Sequence, residues 1–178
     1  MKRFITLFTC FYSLVSVQAQ QYQPVNDKSS VNFTIKNFGI STGGSFKGLE
    51  GQINFDMANP VQAVFDITLD AASVSTDNDS RDSHLRNEEY FDTRKYPKIS
   101  FKSEKVNARG NGFLAKGNLT IKGTTKSISL PFKVQARDDG YLFEGSFQLD
   151  RRDFKIGNNS MVLGDDVTVT LSVFARKK

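Results

Sequence analysis

Apolar and polar residues alternate through most of the chain. In the first clear case, Val31, Phe33 and Ile35 are separated by polar neighbours, which is typical of a strand with one face in a core and the other in solvent. The pattern returns seven more times, between short stretches rich in glycine, asparagine and aspartate. The later repeats cover 45–55, 63–69, 99–103, 113–121, 128–136, 141–149 and 167–175. The sequence therefore predicts eight strands.

Eight half-buried strands with short connections can form either a two-sheet sandwich or a closed barrel. Strands of about ten residues are long for a sandwich of this size, and eight strands can enclose either packed side chains or one small ligand. We therefore expect an all-β fold, an eight-stranded antiparallel β-barrel. It carries one short helical segment, between strands 3 and 4.

Small residues interrupt the apolar face of the predicted strands. They fit the taper and bends of a filled barrel, or they leave an elongated apolar cavity for a hydrophobic ligand. The small residues are Gly51, Ala63, Ser103, Ala115, Gly117 and Gly145. The chain has 16 phenylalanines and no tryptophan, which suits a wall that grips an apolar chain by area and shape. The residues expected to line this tunnel are Phe33, Ile35, Ile53, Phe55, Phe65, Ile67, Phe101, Phe113, Leu119, Phe132, Phe143, Phe147 and Leu171.

The stretch 77–97 breaks the alternation and concentrates charge. We interpret it as a short helix capped by Thr76, with acidic residues in its first turn. Two acid–base pairs are four residues apart with the acid first, the order that stabilises a helix. These pairs are Asp77 with Arg81 and Asp82 with Arg86. Positioned beside the barrel, this segment would gate its opening.

Catalysis and metal binding are both disfavoured by the residues of this segment. His84 is the only histidine in the chain, so no pair of histidines can hold a metal. Its neighbour Ser83 would point away from it on a helix, and the chain has no Gly-x-Ser-x-Gly motif. Asp77, Asp79, Ser83 and Glu88 have the spacing of a calcium loop, but Asp82 stands where the loop needs glycine. We expect no metal, no cofactor and no catalytic residue.

The N-terminus has the features of a secretory signal peptide. Lys2 and Arg3 precede a mostly apolar run over 4–17, and small residues end at Ala19. The run is shorter than the roughly 20 residues of a membrane-spanning helix. We therefore predict a cleaved signal peptide at 1–19 and a single barrel domain at 20–178.

Charge and cysteine content limit the function of the predicted mature chain. Without Lys2 and Arg3 its formal net charge falls from +5 to +3, too small an excess to indicate nucleic-acid binding. Its only cysteine, Cys10, lies in the predicted signal peptide, so disulfides and thiol chemistry are excluded. No later apolar run is long enough to span a bilayer, and we expect a soluble protein without stable membrane insertion.

Several motifs occur in a fixed order in the second half of the chain. They are Ser75-Thr76-x-Asn78, Arg81-Asp82-x-His84-Leu85, Tyr90-Phe91-Asp92, Tyr96-Pro97-x-Ile99-x-Phe101-x-Ser103, Leu119-Thr120-Ile121-x-Gly123-x-Thr125-Lys126, Leu130-Pro131-Phe132 and Arg152-Asp153-Phe154. Together they resemble the signature of the YceI-like, polyisoprenoid-binding family. The resemblance covers about 22–175. The chain departs from the family pattern at Ser29-Ser30, where many members have a histidine before the serine, at Tyr90 and at Lys155, where glycine is common.

The resemblance implies a lipocalin-like barrel with a hydrophobic tunnel for an isoprenoid or similar amphiphilic chain, usually in the bacterial periplasm. It implies no established catalytic residue. We expect a carrier, storage or sequestering protein. A homodimer is compatible with this role. The residues expected to meet the ligand head group at the mouth are Arg81, His84, Arg86, Tyr90 and Phe91. The alternatives are a hydrolase or isomerase that uses His84 on a bound lipid, and a filled barrel that acts as an interaction module.

Overall fold

The computed structural model describes residues 20–178, so the predicted signal peptide at 1–19 lies outside the described residues. Strands make up most of the regular structure of the described chain, which has one α-helix, α1, at Asp79–Leu85. Its strands are β1 Gln21–Pro24, β2 Ser30–Asn37, β3 Ile40–Phe46, β4 Glu50–Asn54, β5 Val64–Asp70, β6 Lys98–Arg109, β7 Gly112–Ile121, β8 Thr124–Arg137, β9 Gly140–Asp150 and β10 Leu163–Lys177.

The strands form one closed, purely antiparallel barrel. From β4 to β10 the consecutive strands pair in chain order, and β1 closes the ring by pairing with both β4 and β10. β2 continues the position of β1 along the same edge of β10, and β3 continues the position of β4. The barrel therefore has eight strand positions, two of them occupied by pairs of shorter strands. This confirms the predicted eight-stranded antiparallel fold, including the helix between the third and fourth positions.

The two broken positions differ from the sequence prediction. Residues 25–29 interrupt the first position and residues 47–49 interrupt the second. Gln21–Pro24 was not predicted as a strand, and the predicted strand at 45–55 left out the glycine-rich start of β3. A Cβ at Gly44 would lie 2.4 Å from Cζ of Phe33, so glycine lets the Phe33 ring cross the neighbouring strand. β3 can form there because of this close approach.

Beyond the break, β3 parts from β5, and residues 71–97 occupy the space between them. The outer edge of β3 meets this segment at one isolated bridge, Ser45 with Ser75, where two backbone hydrogen bonds form. α1 belongs to this segment, so it forms part of the barrel wall at the end where β2 turns into β3. We call this end, bounded by the β2–β3 turn, α1 and the loop 155–162, the mouth.

The opposite end is filled by aromatic side chains. Phe55 is 1% exposed and its ring centroid lies 5.2–6.2 Å from those of five neighbouring rings. Those rings are Phe65, Phe113, Phe132, Tyr141 and Phe143. Tyr22 from β1 joins them 5.0 Å from Tyr141, and burial raises its pKa to about 12. We call this group the aromatic cluster, and it closes that end of the barrel.

The small inward residues have a different role from the one considered above. Of the six, Ala115 is the one that reaches the barrel cavity. A Cβ at Gly117 would lie 2.4 Å from the carbonyl oxygen of Lys102, so glycine there permits a close approach between β6 and β7. Gly51 and Gly145 make similarly close approaches to the backbone of a neighbouring strand, so the three glycines shape the sheet, in agreement with the alternative of bends and taper.

Candidate functional site

A cavity of about 610 Å³ extends from the mouth to the aromatic cluster. This volume lies within the range of about 300–1,000 Å³ that is usual for small-molecule sites. Inward side chains from nearly all strands line it, since alternate residues of each strand face the interior. Eleven of the thirteen residues predicted to line the tunnel are on its wall. They are Phe33, Ile35, Ile53, Phe65, Ile67, Phe101, Leu119, Phe132, Phe143, Phe147 and Leu171.

The structure corrects the position of the other two. Phe55 and Phe113 belong to the aromatic cluster, where their rings meet edge-on at 5.2 Å, and they do not contribute to the cavity wall. They close the cavity instead of lining it. The cavity is therefore a blind chamber open at the mouth, whereas the sequence suggested a tunnel. Contact of any of these side chains with a ligand stays a prediction.

At the mouth, α1 is fixed by a hydrogen-bond pattern that differs from the expected one. The helix is capped by Asn78, whose side chain accepts a hydrogen bond from the Arg81 N–H at 2.9 Å. Thr76, the predicted cap, is buried and donates through its hydroxyl and its backbone N–H to Asp82. The hydroxyl hydrogen bond lowers the pKa of Asp82 from its ordinary value of 3.8. Asp82 thus ties the helix to the preceding strand segment as a carboxylate.

The expected ion pairs along α1 do not form within residues 20–178, because both arginines bind backbone or hydroxyl oxygens. Arg81 donates from Nε to Thr76 Oγ1 and from Nη2 to the Thr76 carbonyl, each at 2.7 Å. Arg86 donates to the carbonyls of Ala72 and Val74 and does not line the cavity. Arg86 therefore holds the segment together, and its predicted place at the mouth is wrong. Arg81 lines the mouth, as expected.

The remaining predicted mouth residues, His84, Tyr90 and Phe91, all line the cavity. The His84 ring lies 5.0 Å from the Tyr90 ring, and its Nε2 is 3.8 Å from Oε2 of Glu89. Phe91 packs edge-on against Phe46 of β3, with ring centroids 5.3 Å apart. These contacts bring aromatic faces and a half-exposed imidazole together at the opening.

Arg151 was missed by the sequence prediction and is the most deeply buried charged residue of the site. Its side chain is 2% exposed, lines the cavity and forms a 2.7 Å ion pair with Asp165. The guanidinium also donates to four backbone carbonyls of the loop that follows it, at Ile156, Asn158, Leu163 and Gly164. One arginine therefore holds the whole loop in shape. The neighbouring Arg152 is exposed, and nothing in the sequence distinguishes the two.

The same loop carries the polar part of the mouth. Asn158, Asn159 and Ser160 line the cavity, and Asn158 Nδ2 donates to Oε1 of Glu89 at 3.2 Å. Lys155, one of the positions noted above as a departure from the resemblance, has a φ of +57°, a left-handed conformation that glycine adopts more easily. The head of a bound molecule would therefore meet amides, a hydroxyl and Arg81, while its body would meet hydrocarbon.

Residues 20–178 bring no three His, Cys, Asp or Glu side chains together to hold a metal ion. No helix in that range has the length and apolar character needed to cross a membrane.

The closed barrel, the blind apolar chamber and its polar mouth define a small-ligand-binding barrel of lipocalin-like form. The chain belongs to the family whose model, the YceI-like domain, matches residues 22–175. Among curated relatives, Protein YceI of Salmonella arizonae is 31% identical over 94% of this chain and 93% of its own length. Protein YceI of Salmonella enteritidis matches at the same identity and coverage.

Solved structures share the fold. BcnA of Burkholderia cenocepacia is 27% identical, with a TM-score of 0.79 over 83% of this chain and 96% of its own. The YceI protein of Campylobacter jejuni is 30% identical, with a TM-score of 0.69 over 76% and 84% of the two chains. A polyisoprenoid-binding domain from Saccharophagus degradans is 18% identical, with a TM-score of 0.69 over 88% and 98%, and shows a likeness in fold.

Proposed function

We propose that this protein is exported and holds an isoprenoid or similar amphiphilic chain in its barrel cavity, as a periplasmic carrier, store or sequestering protein. The observation that carries the proposal is the 610 Å³ chamber with an almost wholly apolar wall. The family membership supports it, as does the name of the Saccharophagus degradans neighbour, a polyisoprenoid-binding domain. Export rests on the signal-peptide pattern of residues 1–19.

The shape of the chamber sets the orientation of the ligand. Its blind end is apolar and its mouth carries the polar groups, so an amphiphile enters tail first and leaves its head beside Arg81 and the loop 155–162. Burial of an apolar chain contributes about 25 cal/mol of binding free energy per Å² of apolar surface. The chain can therefore bind without strong polar contacts. This mode of binding favours chain length and shape over exact chemical identity.

Binding without turnover suits the residues at the mouth. His84 faces Glu89 and Tyr90, and the neighbouring Ser83 does not line the cavity. Within residues 20–178 no hydroxyl forms a hydrogen bond with the imidazole. We therefore propose a non-enzymatic role. Turnover of a lipid ester that disappears in His84→Ala, while lipid binding remains, would contradict this part.

The test is to fill the chamber from within. Leu171 lies on the cavity wall, and the next residue along β10, Thr170, is exposed on the outer face. Leu171→Trp should reduce binding of a long-chain prenol at least tenfold, whereas Thr170→Trp should leave it unchanged. Because the chain has no tryptophan, each variant also carries a single fluorescent reporter of its own site.

Native mass spectrometry of the periplasmic protein supplies the second measurement. Unmodified protein and Thr170→Trp should retain a co-purified chain that lipid extraction removes, and Leu171→Trp should not. A protein that carries no lipid and binds no prenol would refute the proposal. Equal binding by both tryptophan variants would place the ligand outside the chamber.

A further inference from the structure

Four large apolar side chains are exposed together on the rim of the mouth. Phe38 and Ile40 at the β2–β3 turn are 73% and 71% exposed, Met161 is fully exposed and Val162 is 40% exposed. The two groups touch, because the Phe38 N–H donates to the Val162 carbonyl at 2.8 Å. We call these four residues the rim patch. They directly adjoin wall residues, since Ser160 and Val162 themselves line the cavity.

Phe38 occupies a costly position for a phenylalanine. Asn37 pairs with Ile40, so the turn has two residues, and both Phe38 and Gly39 have positive φ, at +50° and +76°. Turns of this kind favour asparagine, aspartate or glycine, and a bulky residue in the left-handed region is a rare outlier. The ring packs into no core that would offset this strain. A strained, exposed aromatic beside a ligand opening points to an external partner.

From these observations we propose that the rim patch docks onto the surface of a lipid bilayer and delivers the mouth of the chamber to the membrane. The patch is small for a protein partner: four side chains expose a few hundred Å², against about 800 Å² per partner in a standard protein interface. A bilayer needs only shallow insertion of a few apolar side chains with cations around them.

Charge around the patch suits anionic lipid head groups. Lys36, exposed on β2, precedes the turn, and Arg152 donates to Asn159 at 2.9 Å in the loop that carries Met161. Two of the nearby carboxylates are paired with cations, Asp165 with Arg151 and Asp153 with Lys126, and Glu89 faces His84. Exposed lysines and arginines near a membrane surface each strengthen binding to anionic leaflets.

The rim patch borders the opening of the chamber, and this position favours a bilayer over a second protein as the partner. A protein bound here would cover the opening, whereas a bilayer surface holds amphiphiles whose tails could pass into the chamber without crossing water. The inference rests on the proposed lipid binding for its purpose, but docking itself can be measured on the empty barrel.

The test compares two double variants in flotation with phosphatidylethanolamine–phosphatidylglycerol vesicles. Phe38→Asn with Met161→Ser removes the aromatic and the thioether side chain of the rim patch, and asparagine relieves the strained turn, so the thermal midpoint should not fall. The matched control is Val61→Ser with Met57→Ser, which removes exposed apolar side chains at the opposite end of the barrel. The rim variant should lose at least tenfold in vesicle partitioning, and the control should match the unmodified protein.

Each further outcome has a defined meaning. Absence of vesicle binding by the unmodified protein, or equal loss in both variants, would overturn the inference. A concentration-dependent dimer that the rim variant abolishes, without vesicle binding, would assign the patch to a second copy of this chain and also overturn it. Uptake of detergent-solubilised prenol should be the same in all three proteins. If the unmodified protein takes up no prenol, the proposed function is refuted, while the docking result stays valid.

Discussion

The two ends of the barrel are held by different forces. At the closed end, β1 completes the ring of backbone hydrogen bonds and the aromatic cluster fills the interior. At the mouth, β3 leaves β5, and arginine side chains bind the carbonyls of segment 71–97 and loop 155–162 in place of neighbouring strands. The closed end is a hydrophobic core of packed rings, whereas the mouth combines a smaller apolar cluster, which includes Phe154 and Ile156, with a polar framework around the opening. Mutations at the two ends should therefore differ in both size and kind.

The largest effect is expected at the closed end. Phe55→Ala removes a ring that five others contact, and truncation of a buried phenylalanine costs about 3–5 kcal/mol. Chemical denaturation should show this loss. Phe91→Ala, at the mouth, should lose less than half as much stability as Phe55→Ala. It should also weaken the binding of prenol. Equal losses at the two positions would contradict the division between the ends.

A smaller loss is expected for Arg151→Met. The substitution leaves Asp165 and four loop carbonyls without their donor, which should cost about 2–3 kcal/mol. Hydrogen exchange should also increase in loop 155–162 before it increases elsewhere. The matched control, Arg152→Met on the exposed neighbour, should change stability little. If both variants unfold alike, Arg151 does not organise the mouth.

Arg81→Ala tests the mouth by ligand selectivity. Among residues 20–178, the Arg81 donors with partners are the backbone N–H, Nε and Nη2, which leaves Nη1 for a head group. Loss of a charge-assisted hydrogen bond of about 1.5 kcal/mol should weaken a prenyl phosphate about tenfold. The affinity of this variant for a neutral prenol should fall much less. Calorimetric titration that shows equal losses for both ligands would make Arg81 purely structural.

The smallest effect is confined to acid. The hydrogen bond from Thr76 holds the pKa of Asp82 below 3.8 in the folded protein, so the unfolded chain binds the proton more readily. The stability that Asp82 contributes is therefore present above about pH 4 and is lost as pH falls through the lowered pKa. The free energy of unfolding, measured from pH 5 downward, should fall less steeply with pH for Asp82→Asn than for the unmodified protein. Parallel curves would contradict this assignment.

Alternation along the chain predicted the barrel because the longer wall strands each have one apolar and one polar face. It could not predict depth along the barrel axis, so Phe55 and Phe113 were assigned to the wall, although they lie in the aromatic cluster. β1 was missed because Gln21–Pro24 is too short and polar to show a period. The two errors have different causes: a period of two identifies the face of a strand and not the height along the barrel axis, and a strand of four residues is too short to show a period.

The mouth was less predictable because its contacts are local choices between similar residues. Thr76 and Asn78 are both good helix caps, and the choice falls to Asn78 because Asp82 takes the Thr76 hydroxyl. Arg151 and Arg152 are identical neighbours, and only the three-dimensional path of the following loop buries one of them. The motif Arg81-Asp82 marked the right segment, but spacing suggested ion pairs where the arginines bind Thr76 and backbone carbonyls.

The departure of β3 from β5 has an evolutionary consequence. Segment 71–97 joins its neighbours through side chains, the isolated bridge at Ser45 and a backbone hydrogen bond from Gly157 to Glu89, and not through a strand ladder. Residues inserted or lost between 86 and 97 therefore do not shift the register of any strand pair. A descendant of this chain can thus enlarge or narrow its chamber without rebuilding the sheet. Because this stretch of the wall is not paired with a strand, the size of the chamber can change in evolution while the fold stays the same.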